Sequence, residues 1–142
     1  MFTSERDLNA AEALLIARAM VKVSASDGVD ERERQLIGEF LKDIGTDKSF
    51  DDLSKEDFNV EAAKGELEPE VRLMMIEGCW LVAFADGKVT EIEKEIIGKY
   101  AAALEEENVE TIREQVLDKF IQSLSHIKNI EALAEVTKRL SE

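Results

Sequence analysis

The feature that most constrains the fold is an internal repeat, in which an apolar helical stretch leads through an Asp-Gly corner into an amphipathic stretch. Residues 23–40 and 82–100 run in register once Lys88 is allowed as a single insertion. Each copy has an Asp-Gly pair, a valine, a residue that suits a helix N-cap, a glutamate three residues later, an apolar pair, a glycine and an aromatic ring. Similarity at this level of detail indicates a duplicated helix-corner-helix unit.

The periodicity of apolar residues predicts helices through most of the chain. Residues 8–26 and 70–86 are apolar around most of the helix circumference, which is typical of central helices. Residues 31–43 and 91–105 have one apolar face, and two further amphipathic helices are expected within 108–141. We therefore predict an all-α fold: a single bundle of about seven helices made of two pseudo-symmetric helix-corner-helix halves.

The whole chain, residues 1–142, is predicted to form one domain. Its parts follow the repeat: halves at about 8–44 and 70–105, an acidic connector at 45–69, and C-terminal helices at 108–141. The connector contains apolar anchors, so we expect a strapped loop with a short helix around Ser54–Lys64, and Pro69 should open the next helix.

The two central helices are expected to lie side by side. The side chains predicted to be deeply buried are Trp80, Phe84, Met75, Leu15 and Val23. Glycine inside a helix costs about 1 kcal/mol relative to alanine. Its presence in both copies, as Gly38 and Gly98, therefore suggests close helix contacts at these positions.

The charge balance excludes some classes of partner. The chain has 32 acidic and 18 basic residues, a net charge of −14, and no cluster of cations. Nucleic acids and anionic membrane surfaces are therefore not expected partners, whereas a protein partner is. The single cysteine, Cys79, excludes an internal disulfide. No secretory signal is evident and the apolar run at 71–85 is interrupted by charges, so we expect no membrane insertion and a cytoplasmic location.

Much of the corner pattern has a structural explanation. Gly28 and Gly87 suit the left-handed position after a helix, while Asp30 and Thr90 suit N-caps. Glu33 and Glu93 would complete capping boxes with these two caps.

Asp27 and Asp86 need a further explanation, because a carboxylate in the last turn of a helix faces the negative end of its dipole. Either N–H groups of the following helix or a bound cation would stabilise it. We favour the N–H groups.

A calcium loop of the EF-hand type does not fit. Asp86 and Glu93 match the second half of such a loop, but Val82 and Phe84 occupy its earlier ligand positions and cannot coordinate a metal. Asp86 and Glu93 remain candidate ligands for a weakly bound hard cation, Ca²⁺, Mg²⁺ or Mn²⁺. No other cofactor is expected.

At these corners, Ala85-Asp-Gly-Lys-Val-Thr-Glu-Ile-Glu93 and Ser26-Asp-Gly-Val-Asp-Glu-Arg-Glu33, the chain resembles the tellurite-resistance TerB family. It is also similar to the N-terminal helical domain of membrane-anchored DnaJ-type co-chaperones. The resemblance implies a pseudo-symmetric helical bundle with a cytoplasmic role in stress or toxic-anion resistance, within a larger assembly and without catalysis. It places a metal or partner site at Asp27, Glu33, Asp86 and Glu93.

No motif for catalysis is present. The single histidine, His126, has no nucleophile pattern around it, and neither a phosphate-binding glycine loop nor a zinc spacing occurs. We therefore expect a non-enzymatic acidic binding or regulatory module that acts through protein–protein interaction. The alternative is a divalent-cation sensor or buffer that uses the paired Asp-Gly…Glu corners. The oligomeric state cannot be predicted from the sequence.

Overall fold

The structure, a computed structural model, describes residues 7–26, 28, 30–85, 87–123 and 138–140. Within these residues the secondary structure is entirely helical, which confirms the predicted all-α class. The seven helices of residues 7–123 that lie in these ranges are α1 (Ala10–Ala25), α2 (Glu31–Asp43), α3 (Phe50–Ser54), α4 (Val60–Glu66), α5 (Pro69–Phe84), α6 (Glu91–Ala103) and α7 (Val109–Ser123). None of the described helices is both long and apolar enough to cross a membrane.

The two predicted central helices, α1 and α5, pack against each other more extensively than any other pair. Asn9 begins α1 with a capping box to Glu12, and Pro69 begins α5, where its missing N–H removes no helical hydrogen bond. The two helices are in close contact at Gly78, where an added Cβ would lie 3.1 Å from the Met20 sulfur. Sequence reasoning missed this contact.

The core lies around this central pair, and α2, α3, α6 and α7 pack against it. Trp80, Phe84, Met75 and Val23 are buried as predicted. Leu15 is only half-buried, so its predicted deep burial is wrong. Leu15 lies on the same helix face as Arg18 and Lys22, which follow it by three and seven residues. The side chains of Arg18 and Lys22 donate hydrogen bonds to residues of the connector.

The connector contains two short helices instead of the single one predicted around Ser54–Lys64. Each has its own cap: the side chain of Ser49 accepts a hydrogen bond from Asp52 N, and that of Asn59 accepts from Glu61 N. Leu53 and Ala63 then anchor α3 and α4 in the core.

Ion pairs fasten the connector to α1. Arg18 Nε lies 2.6 Å from a carboxylate oxygen of Glu56, whose other oxygen pairs with Lys48. Lys22 Nζ donates to the carbonyl oxygen of Ser54 at 3.1 Å. Hydrogen bonds from Lys48 and Arg18 lower the pKa of Glu56, because they stabilise the charged carboxylate.

The paired glycines do not mark helix contacts. Both Gly38 and Gly98 are exposed, and a Cβ built on either would meet no atom within 4 Å. The prediction of close packing at these positions is therefore wrong.

The amphipathic helix predicted from Val109 is confirmed as α7. Most of the last predicted helix lies outside the described residues, although 138–140 are helical and Leu140 is buried. The twofold relation between the halves stays a prediction.

Candidate functional site

The second corner connects the end of α5, at Phe84, to the start of α6, at Glu91. Gly87 has a φ of +83°, a value that glycine adopts without steric cost. The hydroxyl of Thr90 accepts a hydrogen bond from Glu93 N at 3.1 Å, and the Glu93 carboxylate accepts one from Thr90 N at 3.0 Å. The capping box predicted here is confirmed.

The first corner has the same glycine geometry but a different cap. Gly28 also has a φ of +83°. The Asp30 carboxylate accepts a hydrogen bond of 2.8 Å from Arg32 N, one residue earlier than the Glu33 N expected for a capping box. Asp30 is thus the N-cap as predicted, whereas its predicted partner in the cap is wrong.

Glu33 instead accepts a hydrogen bond from the hydroxyl of Ser24, at 3.0 Å, across the corner. The second copy has Ala83 at the position of Ser24. The sequence signal for this contact was a serine near the end of an apolar helix. Each copy therefore supplies its glutamate with a donor of a different kind.

The glutamates of both corners are buried. Glu33 and Glu93 are each 3% exposed and lie at the third position of α2 and α6. A buried carboxylate is costly unless hydrogen bonds replace its lost hydration. Since each accepts a hydrogen bond from its own corner, both glutamates have a structural role there.

The remaining candidates, Asp27 and Asp86, lie outside the described residues, as does His126. The Asp86–Glu93 ligand pair and the backbone hydrogen bonds expected for the two aspartates therefore stay predictions. Among the residues that the structure describes, no group of three or more His, Cys, Asp or Glu side chains could hold a metal ion.

Ile92 was missed as a surface feature. Its position in the apolar pattern of residues 91–105 predicts that it faces the core, but the residue is 45% exposed. The buried positions of α6 include Glu93, Ile97 and Ala101, which are spaced by four residues. Successive helix positions differ by about 100°, so Ile92 points away from the face on which Glu93 lies.

The neighbours of Ile92 on α6 are acidic. The side chains of Glu91 and Glu95 are 90% and 67% exposed, and they form ion pairs with Lys94 and Lys99 at 3.2 and 3.3 Å. The start of α6 therefore presents one large apolar side chain between carboxylates.

These features define a class: an acidic, all-helical domain in which helix corners bury glutamates at the start of the following helix. The family model described as tellurite resistance protein TerB matches residues 48–116, a segment that includes α3 to α6 and the second corner. This segment is therefore similar to the TerB family of tellurite-resistance-related helical domains, which supports the family predicted from the corners. The similarity to DnaJ-type co-chaperones stays a prediction. No curated protein and no solved structure significantly similar to the chain was found.

Proposed function

We propose that this protein is a non-enzymatic interaction module of a tellurite or toxic-anion resistance system, and that it binds a protein partner through the start of α6. The observation that carries the proposal is the exposure of Ile92 in the first turn of a helix that has a capping box. A large apolar side chain on a pre-organised helix end can enter a partner's pocket at a small cost in conformational entropy.

The proposed partner surface is basic with an apolar pocket. Glu91 and Glu95 flank Ile92, and the whole chain has a net charge of −14. The negative electrostatic field of these charges accelerates encounters with a cationic surface. Because the side chains of Glu91 and Glu95 are largely exposed, their ion pairs with Lys94 and Lys99 contribute little free energy and can be exchanged for pairs with the partner.

The chemistry of the single thiol supports a non-enzymatic role. Reduction of an oxyanion such as tellurite requires electrons, which paired thiols or a redox cofactor would supply. Cys79 is fully buried, and burial raises the pKa of its thiol. The reactive thiolate is therefore disfavoured at neutral pH.

A photo-crosslinking residue at position 92 tests the partner surface in cells. We expect it to give a discrete crosslinked product that Glu95→Lys abolishes, whereas the same crosslinker at position 114, on the exposed face of α7, should give none. Equal labelling from both positions would contradict the proposed surface.

Tellurite tolerance tests the physiological role. Deletion of the gene should lower tolerance, the wild-type gene should restore it, and Ile92→Asp should not, although the variant should remain folded by circular dichroism. Glu114→Lys is the matched surface control and should restore tolerance. Full complementation by Ile92→Asp would overturn the proposal.

The cation-binding alternative uses the same corners. Glu33 and Glu93 would have to share their carboxylate oxygens between a metal ion and their donors, Ser24 and Thr90. This requirement weakens the alternative relative to the interaction module, and a metal titration distinguishes the two.

A further inference from the structure

A groove of about 280 Å³ lies between α2 and α7, which both pack against the central helix α5. Its lining comes from all three helices: Leu36 of α2, Leu81 of α5, and Val116, Lys119, Phe120 and Ser123 of α7. Among the apolar residues of this lining, Leu36, Leu81 and Phe120 are only half-buried. Apolar side chains of three helices therefore remain partly in contact with water along the groove.

The internal repeat indicates what kind of element covers such a face. In the register of the repeat, Leu36 of α2 corresponds to Ile96 of α6. The short helix α4 packs against α6. The ring of Phe58, just before α4, lies edge-on to that of Tyr100, with 5.4 Å between their centroids. Ile96 and Tyr100 are four residues apart and so lie on one face of α6. In the second copy, a segment with a short helix therefore packs on this face.

In the first copy the corresponding place beside Leu36 is open in the described part of the chain. The helix α3 also packs on α2, but its Asp51 pairs with Arg34, which points about 160° away from Leu36 around the helix axis. The described C-terminal residues 138–140 lie beside another face of α7. The carbonyl oxygen of Leu140 accepts a hydrogen bond from Arg113, which is six residues before Lys119 and thus about 120° away from it around α7.

Lys119 is the charged residue of this lining. It is exposed and forms no ion pair with any residue that the structure describes. The residues three and four positions before and after it in α7 carry no carboxylate: Gln115, Val116, Gln122 and Ser123. By contrast, Lys94 and Lys99 of α6 pair with glutamates at these spacings. A carboxylate that enters the groove can therefore pair with Lys119 without breaking an ion pair within the described chain.

We propose that this groove binds an amphipathic helix of a protein partner, whose apolar side chains contact Leu36, Leu81 and Phe120 and whose edge carries one carboxylate beside Lys119. An amphipathic helix in a hydrophobic groove is a recurring mode of recognition, in which anchor residues spaced by three or four positions enter the groove. Ile92 does not line this groove. Binding here therefore does not depend on the proposed partner surface around Ile92.

The charges of the chain also define the polar face of the partner helix. The net charge of −14 repels acidic groups that have no cation opposite them. Lys119 is the one cation in the groove lining, and it favours a single carboxylate at that point. The rest of the polar face of the partner helix is therefore neutral or basic. The partner helix is thus recognised by an apolar stripe with one acidic residue at its edge.

Photo-crosslinking in cells, with benzoylphenylalanine in place of Leu36 in the full chain, tests which molecule occupies the groove. We expect it to label a peptide of another protein, identified by mass spectrometry, with apolar residues at helical spacing and a carboxylate beside them. The crosslinker at Ser123, an exposed lining residue, should label the same peptide. At Gln35, which is exposed and points about 100° away from Leu36, it should give no such product. A product within this chain, a product between two copies, or no product would overturn the proposal.

A fluorescent synthetic copy of the labelled peptide tests the charge contact by anisotropy. Lys119→Glu should weaken binding about threefold or more, whereas Lys42→Glu, the same change at an exposed residue outside the groove, should leave binding unchanged. Replacing the carboxylate of the peptide with an amine should restore its affinity for Lys119→Glu, which excludes misfolding as the cause. Ile92→Asp should bind the peptide like the wild type. Equal losses in Lys119→Glu and Lys42→Glu would overturn the proposed contact.

Discussion

The hydroxyl of Ser24 donates a hydrogen bond to the carboxylate of Glu33, and this contact ties the last turns of α1 to the first turn of α2. Both residues are buried, so water does not compete effectively for either group. At the second corner the corresponding glutamate, Glu93, is held by the backbone of Thr90. The two copies of the repeat thus stabilise a buried carboxylate with a side-chain donor in one case and a main-chain donor in the other.

Ser24→Ala should destabilise the protein by about 1–3 kcal/mol, the usual cost of leaving a buried polar group without its partner. Ser54→Ala is the control, because its hydroxyl bonds to a carbonyl oxygen on the surface. Loss of this surface contact should cost about 0.5 kcal/mol or less. Urea unfolding, monitored by circular dichroism, measures the free energy of unfolding of both variants. Equal effects of the two substitutions would show that the corner contact contributes nothing specific.

Gly38→Ala and Gly98→Ala should each stabilise the protein by about 0.5–1 kcal/mol, since alanine favours a helix and the added methyl meets no atom. Gly78→Ala should instead be destabilising, because it overpacks the core. Its methyl would lie 3.1 Å from the sulfur of Met20, which is fully buried. Melting temperatures of the three variants test the contrast, and a stabilised Gly78→Ala would refute it.

Glu56→Gln should reduce stability at neutral pH, because it removes the carboxylate that pairs with Arg18 and Lys48. The folded-state pKa of Glu56 is lowered from its usual value of 4.5. Its contribution is therefore complete above that value and is lost as the pH falls through the lower folded-state pKa. Unfolding of variant and wild type at a series of pH values should show the difference shrinking in acid, whereas Glu39→Gln, on the exposed face of α2, should show no such trend.

Calorimetric titration with Ca²⁺, Mg²⁺ and Mn²⁺ should give no saturable binding if the protein is an interaction module. Saturable binding that Asp86→Asn abolishes and Asp27→Asn leaves intact would establish the cation alternative at the second corner. Binding at the second corner rather than the first is expected because only the second copy keeps a glutamate in the spacing of a calcium loop. Binding that survives both substitutions would place any metal elsewhere.

The central architecture could be predicted because its signals are local. The near-continuous apolarity of α1 and α5, the proline at position 69 and the Thr90–Glu93 spacing each determine an element without reference to distant residues. The separation of α3 from α4 was missed because the sequence analysis assigned one helix to a short acidic stretch that contains two N-caps, Ser49 and Asn59.

The surface features could not be predicted in the same way, because they depend on the rotation of each helix against its neighbours. In α6 the inward position is taken by Glu93, so the apolar Ile92 beside it is turned outward, against the simple rule that apolar residues define the buried face. Likewise, Gly38 and Gly98, which recur in both copies, are exposed, while Gly78, which contacts Met20, occurs in one copy only.

The contact of Gly78 with Ile16 and Met20 joins the two halves of the repeat through a single shared interior. Each half on its own would expose to water the apolar side chains that the other half covers. A protease cut between α2 and α3 should therefore leave the fragments associated. Once separated in denaturant, they should regain helical structure only when mixed, in the manner of complementing fragments of one folding unit.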